Sequence, residues 1–185
     1  MNEKLVIGVT GMPGAGKTFV VTVARDMGYR VVVMGDEVRA EAERRNMEPT
    51  PENIGRLMLE LRKLEGETAI AKRCVRKIYD EASFKVIIDG IRSLAEVEEF
   101  RSKFRRFVLL AVHASPETRF QRLYHRCRSD DPKSWREFHE RDMRELSVGL
   151  GGAIAMSKYM FVNEGPKEEA EREFRLLLRR IEKNE

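Results

Sequence analysis

The sequence is poor in cysteine and aromatic residues and has no long apolar run. Its two cysteines, Cys74 and Cys127, form no CxxC or Cys/His zinc pattern, so we expect two free, buried thiols and a reducing compartment. No apolar run reaches the roughly 18 residues of a membrane span, and the first residues lack the features of a signal peptide. These absences predict a cytoplasmic protein without a membrane partner.

Charge is abundant and mixed in sign. Charged residues make up 36% of the 185 residues, and 35 basic groups stand against 31 acidic ones, for a net charge of +4. A modest excess of interleaved basic residues suits a small anionic ligand better than a nucleic acid. Aromatic residues, at 8%, are also few for stacking bases, which argues against an RNA-binding function.

Five short apolar segments predict buried strands, and the segments between them have helical spacing. This alternation predicts an α/β fold, a three-layer α/β/α sandwich around a five-stranded parallel sheet in one domain. Two stretches are longer or more charged than a connection needs, a helical insertion at 36–83 and a segment at 126–141. The predicted strands are Leu5–Thr10, Tyr29–Met34, Phe84–Asp89, Phe107–His113 and Tyr159–Val162.

Three helix starts have local signals. Thr50-Pro51-Glu52 and Ser115-Pro116-Glu117 each predict a cap followed by proline at the first helical position. Ser93 with Glu96 predicts a capping box, which begins a helix whose apolar residues Leu94, Val97 and Phe100 lie on one side.

The segment GMPGAGKT, residues 11–18, fits the pattern G-x-x-x-x-G-K-[ST] between a predicted strand and a predicted helix. Such a P-loop turns backbone N–H groups toward phosphate oxygens, while Lys17 reaches the terminal phosphates and Thr18 ligates Mg²⁺. A glycine-rich turn without a ligand is the alternative. The predicted ATP-binding residues of this segment are Gly11, Pro13, Gly14, Ala15, Gly16, Lys17, Thr18 and Phe19.

An aspartate ends the third predicted strand. Asp89 closes the run VIID, and ligands of open α/β sheets bind beyond the carboxyl ends of the strands. We therefore predict that Asp89 holds a water molecule bound to Mg²⁺. The alternative is an aspartate that caps the turn before Gly90.

Two further segments resemble adenylate kinases and related nucleoside monophosphate kinases. MGDEVR, residues 34–39, is similar to G-D-x-[LV]-R, and DGIRS, residues 89–93, is similar to D-G-x-P-R without its proline. In that family the two arginines hold the phosphate of the acceptor nucleotide. The resemblance therefore implies this role for Arg39 and Arg92, with Asp36 positioning Arg39 or Mg²⁺, or acting as a base toward a hydroxyl acceptor.

The second half of the chain carries two more resemblances. RLYHRCRSDD, residues 122–131, resembles the arginine-rich lid elements of the same kinases, and YMFVNEGPKEE, residues 159–169, resembles the last strand and turn of dephospho-CoA kinases. Solvated helix charges and a simple turn are the alternatives. The resemblance implies ATP-binding roles for Arg122, Asn163 and Gly165. It also implies catalytic roles, together with Lys17 and Asp36, for Arg126, Arg128 and Arg141. Arg136 is the alternative to Arg141.

Taken together, the sequence resembles archaeal P-loop proteins related to adenylate kinase and dephospho-CoA kinase. The resemblance implies ATP and Mg²⁺ as cofactors and transfer of the γ-phosphoryl group to a small phosphate-bearing acceptor. In this interpretation the helical insertion at 36–83 covers the acceptor and the short lid at 126–141 covers ATP. A P-loop ATPase that regulates a partner is the alternative, and neither the acceptor nor the oligomeric state is predicted.

Overall fold

A computed structural model describes residues 3–128 and 131–185, including the side chains of these residues except that of Pro51. Five parallel strands form one sheet in the order β2-β3-β1-β4-β5. The predicted parallel α/β fold is confirmed, with strand ends shifted by a residue at several positions. The strands are β1 Leu5–Thr10, β2 Arg30–Val33, β3 Lys85–Asp89, β4 Arg106–His113 and β5 Tyr159–Val162.

Helices connect the strands and cover both faces of the sheet. Thr50 and Ser115 cap α3 and α6 through their side chains, each followed by proline, as the sequence predicts. The helices are α1 Lys17–Asp26, α2 Met34–Arg44, α3 Pro51–Glu65, α4 Ala69–Asp80, α5 Leu94–Lys103, α6 Pro116–Arg126, α7 Trp135–Ser147, α8 Leu150–Ala155 and α9 Lys167–Asn184.

The alternation of side chains along the strands produces two cores. Ile7 and Ile87 face one side, where α1 and α9 cover them, whereas Val6 and Val86 face the other side. Each of these four side chains is fully buried. The sheet is therefore apolar on both faces, as an all-parallel sheet requires.

The helical insertion is part of the second core. Helices α2, α3 and α4 occupy most of residues 36–83, and Leu57, Leu61 and Cys74 are fully buried in the cluster that contains Val86. Burial of this kind stabilises each large side chain by about 1.5–3 kcal/mol. The insertion is thus packed onto the sheet rather than attached as a separate body.

Three local expectations need correction. Cys127 is exposed, not buried, because it lies beyond the end of α6 in a left-handed conformation. Leu94 is 42% exposed although Val97 and Phe100 of the same helix are buried. The predicted capping box is half formed: the Ser93 hydroxyl accepts the backbone N–H of Glu96 at 3.3 Å, but the Glu96 carboxylate accepts the backbone N–H of Arg92 instead of that of Ser93.

None of the helices in the described part of the chain is long and apolar enough to span a bilayer.

Candidate nucleotide-binding cleft

A cleft of about 480 Å³ lies beyond the carboxyl ends of β1 and β3. This position follows from the topology, because β1 stands between β3 and β4 and its carboxyl end opens between their connections. Six basic side chains and two carboxylates line the cleft. The basic ones are Lys17, Arg92, Arg122, Arg126, Arg128 and Arg141, and the acidic ones are Asp89 and Glu145.

The P-loop is held in shape by close neighbours. Gly14 has a positive φ of 81°, and a Cβ atom there would lie 2.7 Å from the carbonyl oxygen of Arg119. Gly16 has a φ of 104°, and a Cβ atom there would collide with the amide of Asn163. Both positions need glycine for its backbone conformation and for space. Gly11, Pro13, Gly14, Gly16, Lys17 and Thr18 all line the cleft.

Asn163 and Arg122 brace the same loop from the side of β5 and α6. The Asn163 amide, which is buried, donates to the carbonyl oxygen of Ala15 at 2.9 Å. Arg122 donates to the carbonyl oxygens of Ala15 at 3.3 Å and Asn163 at 2.8 Å. Asn163 therefore supports the loop from outside the cleft, whereas Arg122 also lines the cleft.

Lys17 points back along the P-loop. Its Nζ atom donates to the carbonyl oxygens of Gly11 at 2.6 Å and Met12 at 3.1 Å. Desolvation by burial lowers its pKa to about 8, partly offset by the negative charge of Asp89. A polyphosphate beside this ammonium group would reverse the effect, because an opposite charge favours the protonated form.

Asp89 and Thr18 offer oxygen atoms that suit a hard cation. Oδ1 of Asp89 is buried and has no hydrogen-bond partner among the described residues, and burial raises the pKa of this carboxyl group. Thr18 also lines the cleft and is an exposed residue. No cluster of three or more metal-binding side chains occurs in residues 3–128 and 131–185. The residues therefore fit a Mg²⁺ ion shared with phosphate and water, since Mg²⁺ usually keeps several such ligands.

Arg92 reaches the cleft from the turn after β3. Its Nη1 atom lies 3.3 Å and 3.4 Å from the two carboxylate oxygens of Glu145 on α7. The backbone of this turn is fixed by Glu96, which is fully buried and binds the N–H of Arg92 and the guanidinium of Arg62, each at 2.8 Å. Arg62 belongs to α3, so the helical insertion helps to fix the turn.

Asp36 and Arg39 lie outside this cleft. Their side chains form an ion pair at 2.5 Å on α2 and line a second cavity of about 780 Å³ between α2 and the loop at 46–50. The structure therefore does not bring Arg39 into the cleft with Arg92, although Asp36 is near enough to raise the pKa of Asp89.

The Asp131 carboxylate forms hydrogen bonds with three arginines of the predicted lid. Its carboxylate binds Arg126 at 2.5 Å and 2.9 Å, the backbone N–H of Arg128 at 3.0 Å and Arg141 at 3.5 Å. These bonds, the one from Arg126 foremost, lower the pKa of Asp131. Arg136, by contrast, has an 86% exposed side chain beside Glu140 and does not line the cleft. The predicted lid at 126–141 includes residues 129 and 130, which lie outside the described residues.

Arg119 and Asp142 form a buried ion pair that was not predicted from the sequence. Arg119 is 4% exposed, and it forms two parallel bonds to Asp142 at 2.8 Å and 2.6 Å. It also donates to the carbonyl oxygen of Pro13 at 3.2 Å and stacks on Phe138. The pair thus ties α6 and α7 to the P-loop, and its only signal in the sequence is a charged residue on a helix.

Besides Asn163, three predicted ATP-binding residues lie apart from the cleft lining. Ala15 is fully buried, Phe19 on α1 packs half-buried against the core, and Gly165 is exposed at the start of the connection to α9. None of these residues contributes to the cleft.

The fold and the cleft together define a P-loop protein of the kinase-like α/β class. The profile of a family described as AAA domain matches residues 10–139. The chain is 50% identical over 179 residues to a UPF0200 protein of Hyperthermus butylicus, covering 97% of this chain and 96% of the relative. It is 45% identical over 181 residues to a UPF0200 protein of Thermococcus onnurineus, covering 96% and 98%. The chain therefore belongs to the UPF0200 family.

Solved structures share the fold at low identity. A shikimate kinase from Bacteroides thetaiotaomicron has a TM-score of 0.61 at 18% identity, covering 95% of this chain and 98% of that one. A gluconokinase from Sinorhizobium meliloti has a TM-score of 0.58 at 17% identity, covering 100% and 97%. These similarities establish the P-loop kinase fold. The finer resemblance to adenylate or dephospho-CoA kinases stays a prediction.

Proposed function

We propose that the protein is an ATP- and Mg²⁺-dependent phosphotransferase that moves the γ-phosphoryl group to a small, nucleotide-type acceptor. One observation carries the proposal: six basic side chains converge with a P-loop in a single cleft of about 480 Å³. Phosphoryl transfer needs positioned groups and neutralisation of spreading negative charge more than covalent help from the protein. The cleft supplies both.

Each part of the cleft has a place in this reaction. The P-loop and Arg122 bind the polyphosphate of ATP, and Thr18 and Asp89 hold Mg²⁺, partly through water. Lys17 with Arg126, Arg128 and Arg141 neutralises the transferring group, because guanidinium groups match phosphate oxygens in geometry. Arg92 binds the acceptor phosphate.

The role of Asp36 depends on the acceptor. With a monophosphate acceptor the phosphate is itself the nucleophile, and Asp36 only positions Arg39. With a hydroxyl acceptor, such as that of dephospho-CoA, Asp36 is the candidate base, and α2 has to bring Asp36 and Arg39 toward the cleft. Full activity of an Asp36→Asn variant would rule out Asp36 as the base.

The test is ADP release from ATP and Mg²⁺ with a panel of nucleoside monophosphates, nucleosides and dephospho-CoA. We expect one acceptor to stimulate release and to yield a phosphorylated product, and Lys17→Ala to abolish both. Lys183→Ala, a change at an exposed residue in the last turn of α9, serves as the matched control and should behave like the natural protein. Release that depends on Lys17 but on no acceptor would contradict transfer.

A nucleotide-dependent regulatory ATPase is the second candidate, and one observation favours it. Leu59 and Leu64 on α3 are 60% and 69% exposed. A partner protein could cover them. Hydrolysis without an acceptor, together with nucleotide-dependent assembly that a Leu64→Glu change abolishes, would favour this function over transfer.

A further inference from the structure

Glu145 is an acidic side chain in a cleft built for anions. It lies on α7, its side chain is 18% exposed, and both of its carboxylate oxygens face Nη1 of Arg92. A carboxylate here repels incoming phosphate and occupies the guanidinium that faces the acceptor side. A carboxylate at this position weakens anion binding. Its presence is explained if competition between Glu145 and an incoming phosphate group for Arg92 selects the ligand.

The position of Glu145 is fixed by the helix that carries it. Asp142, three residues earlier on α7, is held by two bonds to buried Arg119, which in turn binds the P-loop carbonyl of Pro13. Arg141 and Glu145 are four residues apart and so lie on one face of α7, and both line the cleft. The carboxylate of Glu145 is therefore presented to the cleft by a braced helix.

The partner of Glu145 is fixed as well. Glu96, which is fully buried, binds the backbone N–H of Arg92 and so fixes the turn that carries the guanidinium. Both sides of the Arg92–Glu145 pair thus stand on rigid supports. The contacts of 3.3 Å and 3.4 Å are long for a charge-assisted hydrogen bond, which leaves the pair weak enough to exchange.

We propose that Glu145 is a specificity-determining residue that occupies Arg92 until a dianionic phosphate group of the acceptor takes its place. A dianion carries twice the charge of the carboxylate, so it competes well for the guanidinium, whereas a neutral hydroxyl group or water does not. The exchange reserves Arg92 for phosphate-bearing acceptors. This inference rests on the proposed function and identifies the acceptor class as a phosphate monoester.

The test measures binding rather than turnover, so that it stands apart from the proposed function. Inorganic phosphate and AMP are titrated by calorimetry into the protein saturated with Mg²⁺ and a non-hydrolysable ATP analogue. Glu145→Gln keeps the shape and removes the charge, and we expect it to tighten binding of at least one of these two probes about 1.5-fold to fivefold, the range of a partly exposed ion pair. Glu140→Gln, on the same helix but 59% exposed, should change nothing.

A double-mutant cycle decides whether the effect passes through Arg92. In an Arg92→Met background, Glu145→Gln should lose its effect, because the guanidinium for which Glu145 and phosphate compete is absent. An unchanged affinity of the single Glu145→Gln variant for both probes, or an equal gain in the Arg92→Met background, would overturn the inference. Tighter binding of a phosphate monoester to the Glu145→Gln variant, with no phosphorylated product of that monoester when ATP replaces the analogue, would support the inference and contradict the proposed transferase.

Discussion

Replacing Asp89 by asparagine should make the nucleotide-free protein more stable and its Mg²⁺–ATP complex less stable. Oδ1 of Asp89 is buried without a hydrogen-bond partner in the described chain, and burial raises the pKa of the group. Burying an ionised carboxyl group costs more than burying a neutral amide, and this difference is the cost that the asparagine variant removes. Because the charge of Lys17 offsets part of this cost, we expect a gain of about 1 kcal/mol in the variant, or about 2–4 °C in Tm for a domain of this size.

The effect should reverse when Mg²⁺–ATP is bound. Ligand at one hundred times its Kd stabilises a protein by about 2.7 kcal/mol, which corresponds to about 5–10 °C here. The variant lacks the carboxylate, so its shift with Mg²⁺–ATP should fall to the value seen with ATP and a chelator. Thermal unfolding with and without ligand measures both effects, and Glu140→Gln is the control. A variant that is no more stable without nucleotide and shifts fully with Mg²⁺–ATP would refute the reasoning.

The pH dependence of this difference has a fixed sign. The folded-state pKa of Asp89 is raised, so ionisation of the carboxyl group costs stability as the pH rises from the unfolded to the folded pKa. The advantage of the asparagine variant should therefore grow as the pH rises through the folded-state pKa of Asp89 and vanish below the ordinary pKa of aspartate. An advantage that persists unchanged below the ordinary pKa of aspartate would assign the effect to packing instead of charge.

Three further predictions concern the P-loop and the core. The pKa of Lys17 is about 8, so its loss of charge above this pH should weaken ATP binding by up to about tenfold per pH unit, whereas the affinity should not change through Lys17 at lower pH. Calorimetry of a Lys17→Arg variant should show no such dependence. Asn163→Ala removes the bond to Ala15 and should weaken ATP binding about threefold to tenfold with little change in Tm; an unchanged Kd would contradict the bracing role. Leu61→Ala should cost about 2–5 kcal/mol in one cooperative unfolding transition, and a separate early transition would contradict the shared core.

The features predicted well from the sequence are those that local chemistry dictates. The apolar strands, the P-loop and the Thr50 and Ser115 caps depend on residues near one another in the chain, and all are present in the structure. The position of Asp89 at the end of β3 likewise follows from strand order and length. Such features can be predicted because the residues that cause them are close together in the sequence.

The features that were missed depend on contacts between distant elements. Arg119 looks like any charged residue of an amphipathic helix, and only the approach of α7 reveals its buried bonds to Asp142. The charge of Glu145 gives no signal until β3 and α7 come together around Arg92. Arg39, which the resemblance places beside Arg92, instead pairs with Asp36 on its own helix at a second cavity.

The most direct test of the central claim follows the phosphorus atom itself. ATP labelled in the γ-phosphoryl group is incubated with Mg²⁺, the protein and the acceptor panel, and the products are separated by mass. Our account predicts that the label appears in one phosphorylated acceptor, at a rate that falls to background in the Lys17→Ala variant. Label found only in inorganic phosphate, whatever acceptor is present, would contradict the account and identify the protein as an ATPase.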